Sequence, residues 1–534
     1  MTALLTDNLP LLAGAPNGIK KLRELILELA VRGKLVPQDP KDEPANELLK
    51  RIAEEKARLV AEGKIKKQKA LTERDDEAPA FELPAGWAWA RLSDVVNVLN
   101  GRAYKKEELL DTGTPVLRVG NLFTSNHWYY SNLTLEEDKY CNPGDLLFAW
   151  SASFGPFIWQ GERSIYHYHI WKLDFYAKDQ LSKHYLYNYL LEQTQEIKAA
   201  GHGVSMVHMT KEKMEKLVVP VPPLAEQDRI VAKVDQLMAL CDQLEAQQAD
   251  ADSAHTQLVQ ALLDSLTQAR DAGDFAQSWQ RLAEHFHTLF TTESSIDALK
   301  QTLLQLAVMG KLVPQDPSDE PACELLKRIS EKRAAGLAGR RSPKQTALSS
   351  IGPDEKSFEL PSNWEWVRLQ QIISVSSGDG LVSTNMKPEG GIPVYGGNGI
   401  TGYHDEKNVD TETLVIGRVG YYCGSIYLTP AQAWITDNAL RVSFSEENIY
   451  KEFLYWLLKG TNLKEQENAT AQPVISGRKI YPIVIAIPPL AEQHRIVAKV
   501  DQLMALCDQL KARLNQARQV HEHLANALVE QAVA

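Results

Sequence analysis

PPLAEQDRIVAKVDQLMALCDQL at 222–244 returns at 488–510 as PPLAEQHRIVAKVDQLMALCDQL, and Asp228/His494 is the one difference across the 23 positions. Any fold for this chain has to place that sequence twice in equivalent surroundings. The repetition reaches further, and repeats are sought first because they set the architecture. GKLVPQDPKDEPANELLKRI at 33–52 matches GKLVPQDPSDEPACELLKRI at 310–329, an offset of 277, with differences at Lys41/Ser318 and Asn46/Cys323. FELPAGWAWARL at 81–92 matches FELPSNWEWVRL at 358–369 at the same offset. The PPLAEQ repeat sits at an offset of 266, so the second insert is shorter by 277 − 266 = 11 residues. The order is helical segment, basic linker, FELP with two tryptophans, variable insert, PPLAEQ helix, and then all of it again. The chain is a tandem duplication.

Each unit opens with a helix, since Leu22, Leu25, Ile26 and Leu29 fall at helical spacing, as do Ile296, Leu299, Leu303 and Leu306. Gly33 and Gly310 stand where a C-terminal cap belongs. A second helix, NELLKRIAEEKARL or CELLKRISEKRAAGL, runs into the linker. The PPLAEQ helices carry a 4-3 rhythm. Its positions are Ile230, Val234, Leu237, Cys241, Leu244, Gln248, Ala251, His255, Leu258 and Leu262 in the first copy. In the second they are Ile496, Val500, Leu503, Cys507, Leu510, Leu514, Ala517, His521, Leu524 and Leu528. This predicts a coiled-coil seam on a rod of about 50 Å, at about 1.5 Å per residue. Pro223 and Pro489 suit the first turn of such a helix. His255, His521, Cys241 and Cys507 on the seam are expected to pack, not to ligate metal. Trp87, Trp89, Trp364 and Trp366 repeat with the frame and are expected in the core.

The inserts, 93–221 and 370–487, are rich in glycine, aromatics and short β-type runs such as DLLFAW, HIWKLDF, TLVIG and LRVSF, with a helix near each end. Each reads as a compact α+β domain. PVLRVGN at 115–121 aligns with PVYGGN at 393–398, and LLFAW at 146–150 with LVIGR at 414–418. Counting back from PPLAEQ pairs Thr210 with Ser476 and Lys213 with Lys479. One fold with diverged surfaces is implied.

At 534 residues the chain has room for roughly three to four domains. No apolar run is long enough to cross a membrane, and the N-terminus lacks the pattern of a signal peptide. Five scattered cysteines without a CxxC pair argue for a reducing compartment and against structural zinc. Cytoplasmic location is the expectation. A net charge of −11 argues against wholesale nucleic-acid binding, but KIKKQK at 64–69 and RRSPK at 340–344 are local basic stretches. They read as solvated tethers or as phosphate-contacting arms.

Catalytic signatures are absent. GNGITG at 397–402 fits G-x-G-x-x-G, but no helical pattern follows it, so a tight loop is expected. There is no phosphate-binding loop, no H-E-x-x-H, no G-x-S-x-G and no amino-methyltransferase Asn/Asp-Pro-Pro-Tyr/Phe motif. PDEK at 353–356 lies in a linker without the further acidic partner that metal-dependent hydrolysis requires. The chain is not expected to be an enzyme.

Two variable inserts alternating with PPLAEQ…RIV helices, the doubled FELPxxWxW and AQPVISGRKI at 471–480 resemble the specificity subunit of type I restriction–modification systems. The first insert departs from the family's Gln-Pro element, carrying VSMVHMTKEKM at 204–214. The resemblance implies an α+β fold in which two target-recognition domains are separated by two long, antiparallel coiled-coil spacer helices, in a pseudo-twofold tandem duplication. The expected segments are 1–80, helical with a basic linker; 81–221, recognition domain 1; 222–357, central spacer and linker; 358–487, recognition domain 2; and 488–534, C-terminal spacer helix. It further implies double-stranded DNA, two modification (methyltransferase) subunits and restriction (translocase/nuclease) subunits as partners. S-adenosylmethionine, ATP and magnesium would bind those partners and not this chain.

The resemblance also implies that each insert reads one half of a bipartite target in the major groove, and unlike domains imply that this target is non-palindromic. Side chains of suitable geometry in the first domain are Arg102, Tyr104, Lys105, Arg118, Asn121, Trp150, His202, Ser205, His208 and Lys211. In the second they are Asn398, Tyr403, Arg418, Asp437, Asn438, Gln472, Ser476, Arg478 and Lys479. Thr210 and Ser476 could equally be helix N-caps. Two alternatives stay open on sequence alone: a coiled-coil scaffold whose inserts bind proteins, and a self-contained methyltransferase. The near-identity of 222–244 and 488–510 fits two equivalent docking places for one kind of partner.

Overall fold

A computed structural model describes residues 8–66, 81–151, 154–200, 209–337, 350–461, 463 and 474–533. The chain forms two compact units, Met1–Ala251 with Ala517–Ala534, and Asp252–Gln516. Both cuts fall inside long helices, so compactness groups each insert with the helices around it.

The first unit begins with α1 (Leu9–Gly14), α2 (Gly18–Val31) and α3 (Ala45–Ala61). Its insert runs β1 (Ala88–Arg91), α4 (Leu92–Val95), β2 (Val96–Asn100), β3 (Thr114–Leu117), α5 (Val119–Phe123), β4 (Tyr129–Ser131), β5 (Tyr140–Cys141) and β6 (Leu146–Ala149). It continues with β7 (Gly155–Ile158), β8 (Ser164–Tyr166), β9 (Ile170–Phe175), α6 (Lys183–Ala200), α7 (Lys211–Lys216) and β10 (Val218–Val221), ahead of α8 (Leu224–Thr267). Three sheets result, ordered β1-β10, β2-β9-β6-β7 and β4-β3-β8-β5. β3 and β8 pair parallel, in register Val116↔Ile165.

The second unit repeats the plan. After α9 (Ala272–Glu284) and α10 (Phe286–Leu289) come α11 (Glu293–Val308), α12 (Ala322–Leu337), β11 (Glu365–Arg368), α13 (Leu369–Ile372), β12 (Ile373–Ser377), β13 (Ile392–Gly396) and β14 (Gly399–His404). Then follow β15 (Leu414–Gly417), β16 (Ile426–Leu428), β17 (Trp434–Ile435), β18 (Ala439–Phe444), α14 (Lys451–Gly460), α15 (Gly477–Ile480), β19 (Val484–Ile487) and α16 (Leu490–Val533). The sheets are β11-β19, β12-β18-β15-β16 and β14-β13-β17. Register matches as well as order: Leu146↔Leu173 on β6-β9 answers Leu414↔Val442 on β15-β18. LLFAW and LVIGR therefore occupy the same strand position in the two inserts.

The repeated sequence is spent on an internal lock. Trp87 and Trp364 are buried, and each donates its indole N–H to a buried glutamate of PPLAEQ, Glu226 at 3.0 Å and Glu492 at 2.9 Å. The other carboxylate oxygen accepts from Gln38 at 3.1 Å or Gln315 at 2.7 Å, residues of the repeated KLVPQD. Gln227 accepts the backbone N–H of Ser182, and Gln493 that of Tyr450, at 2.7 and 2.8 Å. Arg229 and Arg495 reach Asp42 and Asp319, each at 2.6 Å. Gly33 and Gly310 close their helices at φ +66° and +73°, where a Cβ would lie 2.5 Å from Pro84 and 2.7 Å from Pro361. The left-handed turn and the close approach of the Pro-Trp segment both demand glycine there. Burial raises the Glu226 and Glu492 carboxyls above the ordinary range, opposed by the Trp and Gln donors. The one substitution in the long repeat follows its surroundings, because the His494 ring lies 3.9 Å from that of Tyr450, where the first unit has Ser182.

The seam expected along the long helices does not run their length. Ile230, Val234, Cys241 and their counterparts Ile496, Val500 and Cys507 are buried. Gln248, Ala251 and Ala517 are exposed. Leu258 and Leu524 are 53% and 51% exposed, while the next residues, Val259 and Ala525, are 4% and 1%. A straight helix drifts by about 20° per heptad against a strict seven-residue repeat. Four heptads separate 230 from 258, so the drift nears the roughly 100° of one residue step. The buried stripe accordingly shifts by one position. His255 and His521 pack as expected, their Nε2 atoms 2.9 Å from Leu289 O and 2.8 Å from Leu11 O.

Candidate nucleic-acid interface

In each insert, loops that follow three strands meet at one end of the sheets, held by the same backbone hydrogen bonds. In the first unit these are Gly101 N–H to Ile170 O (3.2 Å), Arg102 N–H to Tyr166 O (3.0 Å), Trp150 N–H to His169 O (3.1 Å) and His167 N–H to Leu117 O (2.9 Å). In the second they are Gly378 to Ala439 (3.1 Å), Asp379 to Ile435 (3.0 Å), Arg418 to Asn438 (2.9 Å) and Thr436 to Tyr395 (2.9 Å). Gly101 and Gly378 permit the approach, for a Cβ on either would stand 2.3 Å from a carbonyl oxygen, that of His167 or of Ile435. The cradle is common. The side chains on it are not: Arg102, Trp150 and His167-Tyr168-His169 in one, Asp379, Arg418 and Thr436-Asp437-Asn438 in the other.

Five of the residues singled out in the first insert gather here, but internal bonds occupy most of their polar atoms. Arg102 forms a two-pronged pair with Glu108 at 2.7 and 3.1 Å, which holds that carboxyl below the ordinary range. Tyr104 reaches Tyr166 O at 3.4 Å and lies near the His167 ring. Arg118 stacks 4.3 Å from the Tyr129 ring centroid and donates to His127 O. Its Nε is buried without a partner among the described residues. The Asn121 amide donates to Ser125 O and His127 O. Trp150 donates to Tyr168 O at 2.9 Å and stacks on Trp171. What these groups surround is a turn not singled out from sequence, His167-Tyr168-His169, whose three rings touch in series at 4.4 and 3.9 Å. Tyr168 is 40% exposed. Burial, reinforced by His169 and Arg118, holds the His167 imidazole down to about 4, so the ring is neutral at physiological pH. The signal that could have found this turn is the alternation YHYHIW at 166–171.

In the second insert, Asn398, Arg418, Asp437 and Asn438 come together. Gly397 lies against the Val419 and Asn438 carbonyls, 2.3 and 3.4 Å from the place a Cβ would take, which brings the Asn398 turn to the cradle. Arg418 donates to Asp437 O at 3.1 Å and Ser377 Oγ at 3.3 Å. Ile475 N–H bonds Arg418 O, bringing Ser476 close. Asp379 pairs with Arg441, which holds the carboxylate below its ordinary range. The side chains of Asp437 and Asn438 are exposed and make no hydrogen bond among the described residues.

Other expected residues fall elsewhere. Lys105 is exposed beside Glu108. Lys211 opens α7 and pairs with Glu215, on the element packed against α4, which leads into the far end of β2. Tyr403 stands opposite Pro393, toward the end of β14 remote from the Asn398 turn. Arg478 is exposed on α15, and Lys479 donates to Val474 O. Thr210 caps α7 by accepting from Lys213 N–H, whereas Ser476 makes no such bond. His202, Ser205, His208 and Gln472 lie outside the described residues, as do 67–69 and 340–344 of the basic stretches. Among the described residues, no cluster of His, Cys, Asp and Glu could hold a metal ion, and no helix is long and apolar enough to cross a membrane.

The family described as Type I restriction modification DNA specificity domain matches residues 84–251 and 361–518. The chain is 36% identical to the specificity subunit of the type I restriction enzyme EcoAI of Escherichia coli, over 97% of this chain and 94% of that one. It is also 36% identical, with the same coverage, to the EcoEI specificity subunit of Escherichia coli. A solved structure titled for complex assembly and conformational transition of the type I R-M system aligns over 85% of this chain and 99% of its own, at 18% identity and a TM-score of 0.49.

Proposed function

Because the chain belongs to the type I restriction–modification DNA specificity family, we propose that it is the DNA sequence-specificity subunit of a type I restriction–modification complex. It reads a bipartite, non-palindromic target with one recognition domain per half-site, and it docks the modification and restriction subunits. Two modification subunits fit the doubled frame. The chain itself carries out no chemistry; methyl transfer and ATP-driven steps belong to the partners, with their S-adenosylmethionine, ATP and magnesium. The complex works in the cytoplasm, where its DNA is.

One observation carries this: two cradles with the same backbone bonds present chemically unlike side chains. A protein that reads two different sequences with one architecture needs that combination. Base edges are told apart by side-chain donors and acceptors, while the backbone sets approach and register. The partners supply the remaining DNA contacts, which suits a chain of net charge −11.

The test replaces 93–221 by the corresponding insert of a relative and maps methylated adenine in cells carrying the complete system. The expected outcome is a new first block with the second block retained. An unchanged target would sink the proposal.

A further inference from the structure

We infer that the three-residue turn leading into the central strand of each insert, His167-Tyr168-His169 in the first and Thr436-Asp437-Asn438 in the second, sets which bases its half-site must carry. This rests on the DNA-recognition function proposed above and narrows it to one element.

The two turns are structurally equivalent. Each leaves a strand paired parallel with its neighbour, β3 with β8 and β13 with β17, and each enters the strand at the heart of the four-stranded sheet. Each is pinned at both ends, through the first residue's N–H (His167 to Leu117, Thr436 to Tyr395) and the third residue's carbonyl (from Trp150, from Arg418). Such a turn gives side chains fixed places without constraining their identity, and a reading element needs both properties.

The turns are also where uncommitted chemistry remains. Arg102, Arg118 and Asn121 have the geometry to read bases, but they are engaged with Glu108, with Tyr129 and His127, and with Ser125 and His127. They stiffen the surround of the His-Tyr-His turn. In the second insert Arg418 is partly engaged, whereas the side chains of Asp437 and Asn438 are exposed and make no hydrogen bond among the described residues. The ligand chemistry differs accordingly. Neutral imidazoles and a half-exposed phenol offer single donors and acceptors together with a flat apolar face for a thymine methyl. A carboxylate accepts from the exocyclic amino group of cytosine, and an amide pairs two-pronged with adenine, its oxygen accepting from the N6 amino group and its NH2 donating to N7. The two half-sites should differ in the same sense as the turns.

The experiment uses the full chain assembled with its modification subunits, methylating a duplex library that holds every single-base change of the wild-type target. Wild type comes first: if it shows no bipartite target, the recognition function itself fails, separately from this inference. Given a target, Tyr168→Ala and His169→Gln are each expected to lower discrimination about tenfold or more at one or more positions of the first block, leaving the second block as it was. Asn438→Ala is expected to do the reverse. Its side chain is exposed and makes no hydrogen bond among the described residues, so truncating it leaves the packing of the insert in place. His169→Gln keeps a polar group of similar length and serves where Tyr168→Ala fails to assemble. First-block discrimination unchanged in His169→Gln and in any Tyr168→Ala that assembles, second-block discrimination unchanged in Asn438→Ala, or a shift of both blocks together in any variant overturns the inference.

Discussion

Glu226 and Glu492 receive the same two donors at distances agreeing within about half an ångström, whereas Arg102 and Asp379, on equally well-matched backbones, carry opposite charges. The lock and the cradle tolerate change differently for a physical reason. The lock is closed: both carboxylate oxygens, both indole N–H groups and the following Gln are buried and satisfied, and any replacement strands a polar group. The cradle is closed only in its backbone. Tyr168, Asp437 and Asn438 on it are exposed, so their identity is free to follow the ligand.

The largest expected effect tests whether the two locks are equivalent. Trp87→Ala and Trp364→Ala each empty a buried indole site and leave a glutamate without its donor, costing about 3–5 kcal/mol. Urea unfolding of the full chain should show equal losses for the two, with the unaltered unit keeping its own transition. Losses differing by more than about 2 kcal/mol would break the equivalence of the units.

Gly101→Ala and Gly378→Ala come next, because a methyl 2.3 Å from a carbonyl oxygen forces the cradle open. Each should cost about 1–3 kcal/mol and abolish discrimination in its own half-site only. A target changed in both halves by one glycine variant would contradict a separate cradle in each insert.

Much of the lock was legible in sequence, because its parts are the repeated words themselves: Gly33, Trp87 and PPLAEQ with Gly310, Trp364 and PPLAEQ. What was not legible is that they bond one another. Trp87 and Glu226 lie 139 positions apart, and no local periodicity links an indole to a carboxylate over such a distance. Within each PPLAEQ the Glu and Gln face inward. The cradle was legible in part. Arg102, Trp150, Arg418, Asp437 and Asn438 stand on it, because residues of reading geometry next to β-type runs mark strand ends. His167-Tyr168-His169 was missed because it becomes a surface turn only through the parallel pairing of β8 with the distant β3.

A smaller effect sharpens the lock's electrostatics. The Glu226 and Glu492 carboxyls titrate above the ordinary range, chiefly through burial. Between the ordinary value and the raised one, the folded chain keeps a proton that the unfolded chain has released. Stability contributed here therefore falls as pH rises through that window and levels off above it. The double variant Glu226→Gln with Glu492→Gln should lose this slope, so its unfolding midpoint should gain on wild type from the ordinary glutamate range up to neutrality. Each single variant should show half the effect if the two locks are alike; a constant difference across pH would contradict the raised titration.

The smallest expected effect bears on the one place where the repeated helices depart from their own sequence pattern. Leu258 and Leu524 sit on the 4-3 rhythm yet face solvent, while Leu263, off that rhythm, is 1% exposed. If the rhythm governed packing, Leu258→Ala and Leu524→Ala would each cost about 2–5 kcal/mol, and Leu263→Ala little. The drift of a straight helix requires the opposite: changes within about 0.5 kcal/mol at 258 and 524, and about 2–5 kcal/mol at 263. Both copies share the departure at the same place in the repeat, so the stripe's shift belongs to the duplicated design. Moving the buried position on by one residue over four heptads offsets the drift, so the buried residues of a straight helix stay in line where its sequence rhythm does not.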